Sequence, residues 1–278
     1  MSTRIWKARD VKKCIIVPSD LDNKYSRGVL GVITGSARFP GAAVLTSASA
    51  SATGVGMIRF HSNSGLAHLV LHSNPEVVVQ PGPVNAWLAG SGIESKRYRD
   101  FTTWLRHRWF TLIANQSVPT ILDAGALALA GKFSHPTLIT PHAGELSRLL
   151  ISRGVDVTSE AIEGDPKKWA IVASKHLGVV VLLKGSRTVV ADGEDLIELP
   201  VSSPWLATAG TGDVLAGIVG ALAATNYIEI LNDRKRLSEV AASAAYIHNS
   251  AALLASRDAP ISATKIIDFI PEAIRKIL

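Results

Sequence analysis

Residues 206–217 read Leu-Ala-Thr-Ala-Gly-Thr-Gly-Asp-Val-Leu-Ala-Gly, and an apolar stretch follows from 218 to 224. Gly210 and Gly212 carry no Cβ, so the backbone here can adopt positive φ and approach a ligand closely. The pattern predicts a turn that opens a helix, whose free amides and dipole would hold an anion. Asp213 would lie in the first helical turn. It is either a simple helix cap or a general base beside a transferring phosphoryl group.

Strand-like and helical segments alternate on both sides of this turn. The strand-like segments are 28–34, 54–60, 76–80, 120–122, 137–140, 179–183 and a hairpin of 188–191 with 195–199; the helical segments are 40–51, 98–114, 143–152, 166–177, 211–224, 236–255 and 262–278. Apolar strands interleaved with helices predict an α/β fold in which helices cover both faces of a mostly parallel sheet. We expect residues 1–278 to form a single domain.

Composition fits a globular enzyme. Of the 278 residues, 47% are hydrophobic and 19% are charged. Cys14 is the only cysteine, which excludes an intrachain disulfide and favours a reducing, cytoplasmic setting, and we expect its thiol to be inert. The polar N-terminus does not resemble a signal peptide, and no apolar run is long enough to span a bilayer, so no membrane partner is expected.

The formal net charge is +6 and the isoelectric point is about 9.5. The densest basic cluster consists of Lys96, Arg97, Arg99, Arg106 and Arg108. Such a cluster can contact nucleic acid, but the solvated face of a helix is the simpler interpretation, and we expect no nucleic-acid partner. A positive field also suits small anionic ligands such as nucleotides.

Ligands of such folds bind at the carboxyl ends of the strands, where Asp123, His142 and Lys184 are expected beside the glycine turn. His142 and Glu145 are three residues apart, so they either face one ligand or cap a helix. Two side chains are too few for a zinc site. The stretch 184–188, Lys-Gly-Ser-Arg-Thr, suits contacts to a nucleotide, although such turns are also common in hairpins.

Four segments together resemble the ADP/ATP-dependent NAD(P)H-hydrate dehydratase family of the ribokinase-like superfamily. They are Pro-Gly-Ala-Ala at 40–43, Thr-Pro-His-Ala-Gly-Glu at 140–145, Leu-Lys-Gly-Ser-Arg-Thr at 183–188, and the stretch from Ala207 to Gly217. The resemblance covers nearly the whole chain from residue 25. It implies a ribokinase-like three-layer α/β/α sandwich.

The resemblance also implies an activity, which is the repair of the S epimer of hydrated NADH or NADPH at the expense of ADP or ATP, with Mg²⁺ on the phosphates. Asp213 would be the catalytic base. The hydrated dinucleotide would be bound by Ala43, Gly82, Val84, His142 and Asp213; ADP or AMP by Lys184, Gly185, Ser186, Arg187, Thr188 and Gly212; the transferring phosphate by the anion hole of Gly210, Thr211 and Gly212; and Mg²⁺ indirectly by Glu145.

The chain departs from the family pattern at three places. It has Gly82-Pro83-Val84 where Gly-Pro-Gly is usual, Asp123-Ala124-Gly125 where Asp-Ala-Asp is usual, and Ala143 in place of a proline. By analogy with the family we expect ADP as co-substrate, a homotetramer, and a separate epimerase as functional partner. Because the dehydratase pattern begins near residue 25, we expect no epimerase domain in this sequence.

Two alternatives remain open from the sequence. A ribokinase-like vitamin kinase, acting on a hydroxymethylpyrimidine or a thiazole alcohol, would use the same turn and the same aspartate. Such kinases have Asn where this chain has His142, which favours the dehydratase. A nucleotide-binding module without catalysis would be expected to lack the base, whereas Asp213 is present.

Overall fold

The computed structural model describes residues 3–95 and 101–278. Its strands are β1 Thr3–Ile5, β2 Val29–Ile33, β3 Met57–Phe60, β4 Ala86–Ala89, β5 Thr120–Leu122, β6 Thr137–Ile139, β7 Val180–Leu183, β8 Val189–Asp192 and β9 Asp195–Glu198. Its α-helices are α1 Ala8–Lys12, α2 Pro40–Thr53, α3 Ser64–Ser73, α4 Phe101–Arg108, α5 Thr111–Ala114, α6 Ala143–Ile151, α7 Ser159–Gly164, α8 Pro166–Leu177, α9 Thr211–Thr225, α10 Tyr227–Asn232, α11 Lys235–Ser256 and α12 Ala263–Ile277. Short 3₁₀ helices span Ala124–Leu129 and Pro204–Leu206.

All nine strands belong to one sheet in the order β1-β9-β8-β7-β6-β5-β4-β2-β3. The strands from β3 through β7 pair in parallel, whereas β8 is antiparallel to both β7 and β9. The prediction of a mostly parallel sheet with a terminal hairpin is confirmed. Gly193 turns this hairpin with φ +60°.

Strands β2 to β9 send alternate side chains into two separate cores, which is why most of these strands are apolar, whereas β1 is exposed along its length. In β7, for example, Val180 and Leu182 enter one core and Val181 and Leu183 enter the other. The first core lies under α2, α3, α9, α11 and α12, and the second under α5, α6, α7 and α8. The predicted three-layer sandwich is therefore confirmed.

Helices α2 and α9 pack so closely that their backbones are in contact. A Cβ atom on Gly217 would lie 1.9 Å from Ser49 Oγ and 2.4 Å from the carbonyl oxygen of Thr46, so only glycine fits there. Both helices begin at the edge of the sheet where the parallel strands end. Their amino termini are consequently fixed relative to each other.

Some predicted elements were wrong. Residues 76–80 do not form a strand, because Val78 makes only a single bridge to Arg59. On the side away from β3, β2 pairs with β4, a short strand that the sequence analysis does not predict. The helix predicted over 98–114 breaks after Arg108 into α4 and α5, and its first residues lie outside the described part of the chain.

The basic cluster does not form a uniformly solvated face. Arg106 is buried, and its guanidinium donates hydrogen bonds to the carbonyl oxygens of Thr34, Gly35 and His61 over 2.7, 2.8 and 3.0 Å. This arginine ties α4 to the loop after β2. Within residues 3–95 and 101–278, no helix has both the length and the apolar character that a membrane span requires.

Candidate active site

The candidate site lies where β4, β5, β6 and β7 end and α9 begins. The backbones of His142 and Lys184 form a parallel bridge at this edge, and the amide of Lys184 donates to the carbonyl of Pro141 over 2.8 Å. Two segments that the sequence analysis singled out, 140–145 and 183–188, are thus held side by side. Both face the turn at the start of α9 across one shared cavity.

The turn before α9 has the conformation that the sequence predicted. Gly210 has φ +88° and precedes the helix, which starts at Thr211. The Thr211 hydroxyl donates to the carbonyl oxygens of Leu206 and Thr208 over 2.8 and 3.0 Å. The Thr211 amide also donates to the Thr208 carbonyl, over 3.4 Å, so both groups of Thr211 stabilise the turn and the amides of Gly212 and Asp213 are those left for the predicted anion hole. The amides of a first helical turn lack intrahelical acceptors and are available to a phosphate.

Asp123 is the buried centre of a polar network. Its Oδ1 accepts hydrogen bonds from Thr140 Oγ1 over 2.8 Å and from Lys184 Nζ over 3.0 Å, and its Oδ2 accepts one from Ser91 Oγ over 2.8 Å. Burial opposes the charged carboxylate, but Lys184 and these hydrogen bonds hold the pKa of Asp123 below its usual value. Asp123 is therefore an ionised counter-charge to Lys184.

Lys184 is correspondingly a charged ammonium. Burial alone would lower its pKa, but Asp123 and Glu145 raise it above the usual value. Glu145 Oε2 lies 3.8 Å from Lys184 Nζ. A Cβ atom placed on Gly212 would lie 3.6 Å from the same nitrogen, so the cation adjoins the turn.

Asp213 is a different kind of carboxylate. Burial and the nearby charge of Asp123 raise its pKa from 3.8 to about 6, although Lys184 acts in the opposite direction. A carboxylate with a pKa near 6 is ionised at neutral pH and still basic enough to accept a proton. The two aspartates are thus suited to different roles, since one balances charge and the other can accept a proton.

Gly212 and Asp213 open onto different cavities. A cavity of about 590 Å³, here called the Asp213 cavity, is lined by Arg38, Phe39, Pro40, Gly41, Ala42, Leu45, Gly92, Ile93, Ala124, Ala209, Gly210 and Asp213. A second of about 620 Å³, the Gly212 cavity, is lined by His142, Lys184, Gly185, Ser186, Thr188, Val201, Ser202, Ser203, Pro204, Leu206, Ala207, Thr211, Gly212, Leu215, Ala245 and His248. Two adjacent residues of one turn therefore separate two binding volumes.

Five of the six residues predicted to bind nucleotide line the Gly212 cavity. The sixth, Arg187, lines a neighbouring cavity of about 760 Å³ under the start of α8. His142 lines both of these cavities and is absent from the wall of the Asp213 cavity. Its assignment to the hydrated dinucleotide stays a prediction.

The capping interpretation of His142 and Glu145 is confirmed. The amide of His142 donates to Glu145 Oε2 over 3.0 Å, and the amide of Gly144 donates to His142 Nδ1 over 3.1 Å. Glu145 is therefore already occupied by a backbone amide and by Lys184. In the described residues no three His, Cys, Asp or Glu side chains come together as a metal site. With so few carboxylates nearby, a bound Mg²⁺ ion would be held mainly by phosphate oxygens and water.

The structure does not bring three predicted substrate contacts to the Asp213 cavity. Ala43 has no exposed surface, whereas its neighbour Ala42 lines the Asp213 cavity. Gly82 and Val84 precede β4 and so lie at the opposite edge of the sheet; the amide of Val84 bonds the side chain of Gln116 there, just before β5. The carboxyl end of β4 instead carries Gly90-Ser91-Gly92.

This second glycine motif is the part of the site that the sequence reading missed. Ser91 contacts Asp123, and Gly92 lines the Asp213 cavity. The sequence signal was present, because a Gly-x-Gly pattern follows the apolar run 86–89. The higher strand propensity of Val77–Val79 predicts the strand there instead, and this shifts the motif assignment to Gly82.

Comparison with known proteins agrees with this geometry. The sequence profile of the family NAD(P)H-hydrate dehydratase matches residues 30–272. The bifunctional NAD(P)H-hydrate repair enzyme Nnr of Mycobacterium tuberculosis is 38% identical over 236 residues, covering 79% of this chain and 46% of that protein. Its namesake from Corynebacterium glutamicum is 33% identical over 295 residues, covering 94% and 49%. The chain thus spans about half the length of these curated relatives.

Solved structures share the fold. The ADP/ATP-dependent NAD(P)H-hydrate dehydratase from Bacillus subtilis, co-crystallised with ATP and Mg²⁺, superposes with a TM-score of 0.85 at 23% identity and full coverage of both chains. A hydroxyethylthiazole kinase from Pyrococcus horikoshii superposes with a TM-score of 0.62 at 18% identity, covering 96% and 95%. These two likenesses concern the fold alone, whereas the profile match and the relatives above 30% identity concern the family. The chain belongs to the NAD(P)H-hydrate dehydratase family.

Proposed function

We propose that this protein dehydrates the S epimer of hydrated NADH or NADPH and converts ADP to AMP and phosphate in the same reaction. The observation that carries the proposal is the division of the site by one turn. Asp213 opens onto one cavity and Gly212 onto the other. A hydroxyl-bearing ring at Asp213 and a nucleoside diphosphate at Gly212 would meet at the amides of α9.

The chemistry follows from the poor leaving ability of hydroxide. Asp213 would accept the proton of the ring hydroxyl as its oxygen attacks the β-phosphorus of ADP, and the bond between that phosphorus and the oxygen bridging to AMP breaks. The C–O bond of the phosphorylated ring then breaks, with its electron pair leaving on phosphate. A proton leaves the neighbouring ring carbon, and the double bond of NAD(P)H is restored. AMP, phosphate and one proton are the remaining products.

The residues around the turn would stabilise the charge that moves through this step. The Lys184 ammonium, which is held by Asp123, adjoins Gly212 and would balance charge on the transferring phosphoryl group. The first-turn amides of α9 would donate to the same oxygens. A Mg²⁺ ion bound with the nucleotide would further neutralise the phosphate oxygens, with Asp213 and Glu145 as the nearby carboxylates for its water shell.

Several finer assignments belong to the same proposal. We infer that ADP is the preferred co-substrate, that the protein acts in the cytoplasm as a homotetramer, and that an epimerase supplies the S epimer. Support for the last point comes from the curated relatives, which are named bifunctional repair enzymes. The oligomeric state can be tested by light scattering on the purified protein.

The direct test is an assay with hydrated NADH, ADP and Mg²⁺. We expect the absorbance of reduced nicotinamide to recover, with AMP and phosphate released in equal amounts to the NADH formed. The R epimer should react only after an epimerase is added. Omission of ADP, or the Asp213→Asn variant, is the matched control. Recovery of absorbance without nucleotide cleavage would contradict the mechanism.

The vitamin kinase is the alternative that the fold permits, given the likeness to hydroxyethylthiazole kinase. It predicts transfer of the γ-phosphate of ATP to a thiazole or pyrimidine alcohol, with ADP as product. The same preparation should therefore be assayed with these alcohols and ATP. Turnover of an alcohol with no turnover of hydrated NADH would establish the kinase and overturn the dehydratase proposal.

A further inference from the structure

We infer that Arg38 binds the pyrophosphate of the hydrated dinucleotide and so positions the nicotinamide ring at Asp213. This inference rests on the proposed function in one respect, which is that the Asp213 cavity takes the dinucleotide. It adds a substrate-binding residue that lies outside the four segments carrying the family resemblance.

The charges in the wall of the Asp213 cavity point to Arg38. A dinucleotide carries a pyrophosphate that is ionised at neutral pH, and the carboxylate of Asp213 would repel it. Among the described residues of this wall, Arg38 is the one cation and Asp213 is the one acid. Lys184, the cation expected to serve ADP, lines the Gly212 cavity instead. Each of the two anionic ligands would therefore have a basic residue of its own.

Arg38 is held in place and still has donors available. Its side chain is 48% exposed, and Nη1 donates to both carboxylate oxygens of Glu94 over 3.1 and 3.4 Å. Within residues 3–95 and 101–278 its guanidinium makes no other hydrogen bond, so Nε and Nη2 can bond a ligand. The planar fork of an arginine matches the oxygens of a phosphate. Glu94 thus orients the guanidinium without occupying all its donors.

The backbone around Arg38 leaves room for a ligand. The first turn of α2, Pro40–Ala42, follows Arg38 and lies in the same wall. Gly41 is exposed, and a Cβ atom added to it would point into open space, so a ribose or a phosphate can lie over it. A Cβ atom on Gly92 would lie 2.9 Å from the carbonyl oxygen of Phe39. The segment that carries Arg38 is therefore packed against the chain that follows β4.

The covalent structure of the substrate decides which phosphate Arg38 would contact. A single ribose separates the nicotinamide ring from the pyrophosphate. The 2′-phosphate of NADPH lies on the other ribose, beyond the pyrophosphate. With the ring at Asp213, the pyrophosphate is the nearer group to a residue of the same cavity. We therefore expect Arg38 to act equally on hydrated NADH and hydrated NADPH.

Removal of the guanidinium should affect KM rather than kcat. The pyrophosphate takes no part in the reaction, so its contact is the same in the ground state and the transition state. Arg38→Gln should raise KM for hydrated NADH about 10- to 100-fold and keep kcat within about threefold. Arg38→Lys keeps the charge but not the fork, so it should raise KM less than Arg38→Gln does.

Arg4→Gln is the matched control. Arg4 also donates to a glutamate over 3.1 Å and its side chain is 53% exposed, but it lies in β1 at one edge of the sheet and lines neither cavity. Its substitution should change neither KM nor the affinity for ADP. All three variants should melt near the wild-type temperature, because exposed ion pairs contribute little to stability.

The test combines steady-state kinetics on hydrated NADH and hydrated NADPH with calorimetry of ADP. An equal rise in KM for both dinucleotides at unaltered ADP affinity would support the inference. Three outcomes for Arg38→Gln would overturn it: an unchanged KM, a rise confined to hydrated NADPH, which would assign Arg38 to the 2′-phosphate, or a loss of ADP affinity. Wild-type protein that turns over neither dinucleotide would overturn the proposed function instead.

Discussion

Nζ of Lys184 lies 3.0 Å from Oδ1 of Asp123, and this partly buried ion pair joins the carboxyl ends of β7 and β5 across the end of β6. Each charge has a further role in the site. Lys184 adjoins Gly212, where phosphate is expected, and Asp123 raises the pKa of Asp213.

Asp123→Asn is expected to destabilise the protein by about 3 kcal/mol, because it leaves the Lys184 charge without its main partner. Chemical denaturation at neutral pH measures this. The double variant Asp123→Asn with Lys184→Met should recover most of the loss, since no unpaired charge is then buried. An additive loss in the double variant would show that the pair itself does not explain the effect.

Asp213→Asn keeps the shape of the side chain and removes the base. We expect kcat to fall about 10²- to 10⁴-fold. Affinity for ADP should be retained or improved, because a negative charge beside the phosphates is gone. Steady-state kinetics and calorimetry on the same preparation test both statements, and near wild-type turnover would contradict the assignment of the base.

Activity should depend on pH through Asp213. The carboxylate must be ionised to accept a proton, so kcat/KM is expected to rise with pH and level off above a midpoint near the pKa of about 6. Because the charge of Asp123 raises that pKa, a substitution that removes the charge should move the midpoint to lower pH. The Asp123→Asn with Lys184→Met variant, if it retains activity, also removes an opposing charge and should show a smaller shift.

The same pKa shift predicts a stability effect of the opposite sign from the usual carboxylate. The pKa of Asp213 is higher in the folded protein than the ordinary value of 3.8, so its contribution to stability is present below that value and is lost as pH rises through about 6. Asp213→Asn should therefore be more stable than wild type at pH 7 to 8, by at most about 3 kcal/mol, and should lose this advantage near pH 4. Thermal unfolding across this range tests the prediction.

Gly212→Ala should weaken ADP binding and leave the free protein unchanged. The added Cβ meets nothing nearer than Lys184 Nζ at 3.6 Å, which is an ordinary contact, so the free fold accepts it. In the complex the methyl group would occupy space beside the phosphate. Calorimetry should show at least a tenfold loss of affinity at an unaltered melting temperature. Gly65→Ala, in the first turn of α3 and also free of close contacts, is the matched control.

His142→Ala distinguishes two placements of this residue. The family resemblance places it on the hydrated dinucleotide, which predicts a higher KM for hydrated NADH with AMP binding intact. Its position on the Gly212 cavity allows contact with the nucleotide, which would lower AMP affinity instead. The side chain is 55% exposed but caps α6, so the fold should be kept with a loss of stability of about 1 kcal/mol. Parallel titrations with AMP and hydrated NADH decide between the two.

The elements that could be predicted were those with strong local signals. The hairpin around Gly193 and the helix opened at Gly210 each depend on residues adjacent in sequence, and both were predicted with nearly the observed bounds. β4 was missed because Ala86–Ala89 is short and contains two alanines. Val77–Val79 has higher strand propensity but lies outside the sheet. Pairing between distant parts of the chain decides which of the two segments joins the sheet, and local propensity does not reveal that pairing.

The residues of the site divide in the same way, into those that have a local sequence signal and those that do not. Asp213, Lys184 and His142 were found because each sits in a motif next to a glycine or a strand end. The ionisation of Asp123, by contrast, depends on Ser91, Thr140 and Lys184, which come from three other strand ends. The wall of the Gly212 cavity likewise includes His248, which comes from the middle of α11 and has no local motif.

The close approach of α2 and α9 at Gly217 has a mechanical consequence. Both helices contribute their first residues to the Asp213 cavity, so the two walls of that cavity behave as one rigid body. Any closure around a substrate must then come from the other parts of the wall, such as Arg38 or Ile93. Position 217 lies one turn beyond Asp213 and lines neither the Asp213 cavity nor the Gly212 cavity. A side chain there would push α2 and α9 apart and so misplace the Asp213 carboxylate without contacting it.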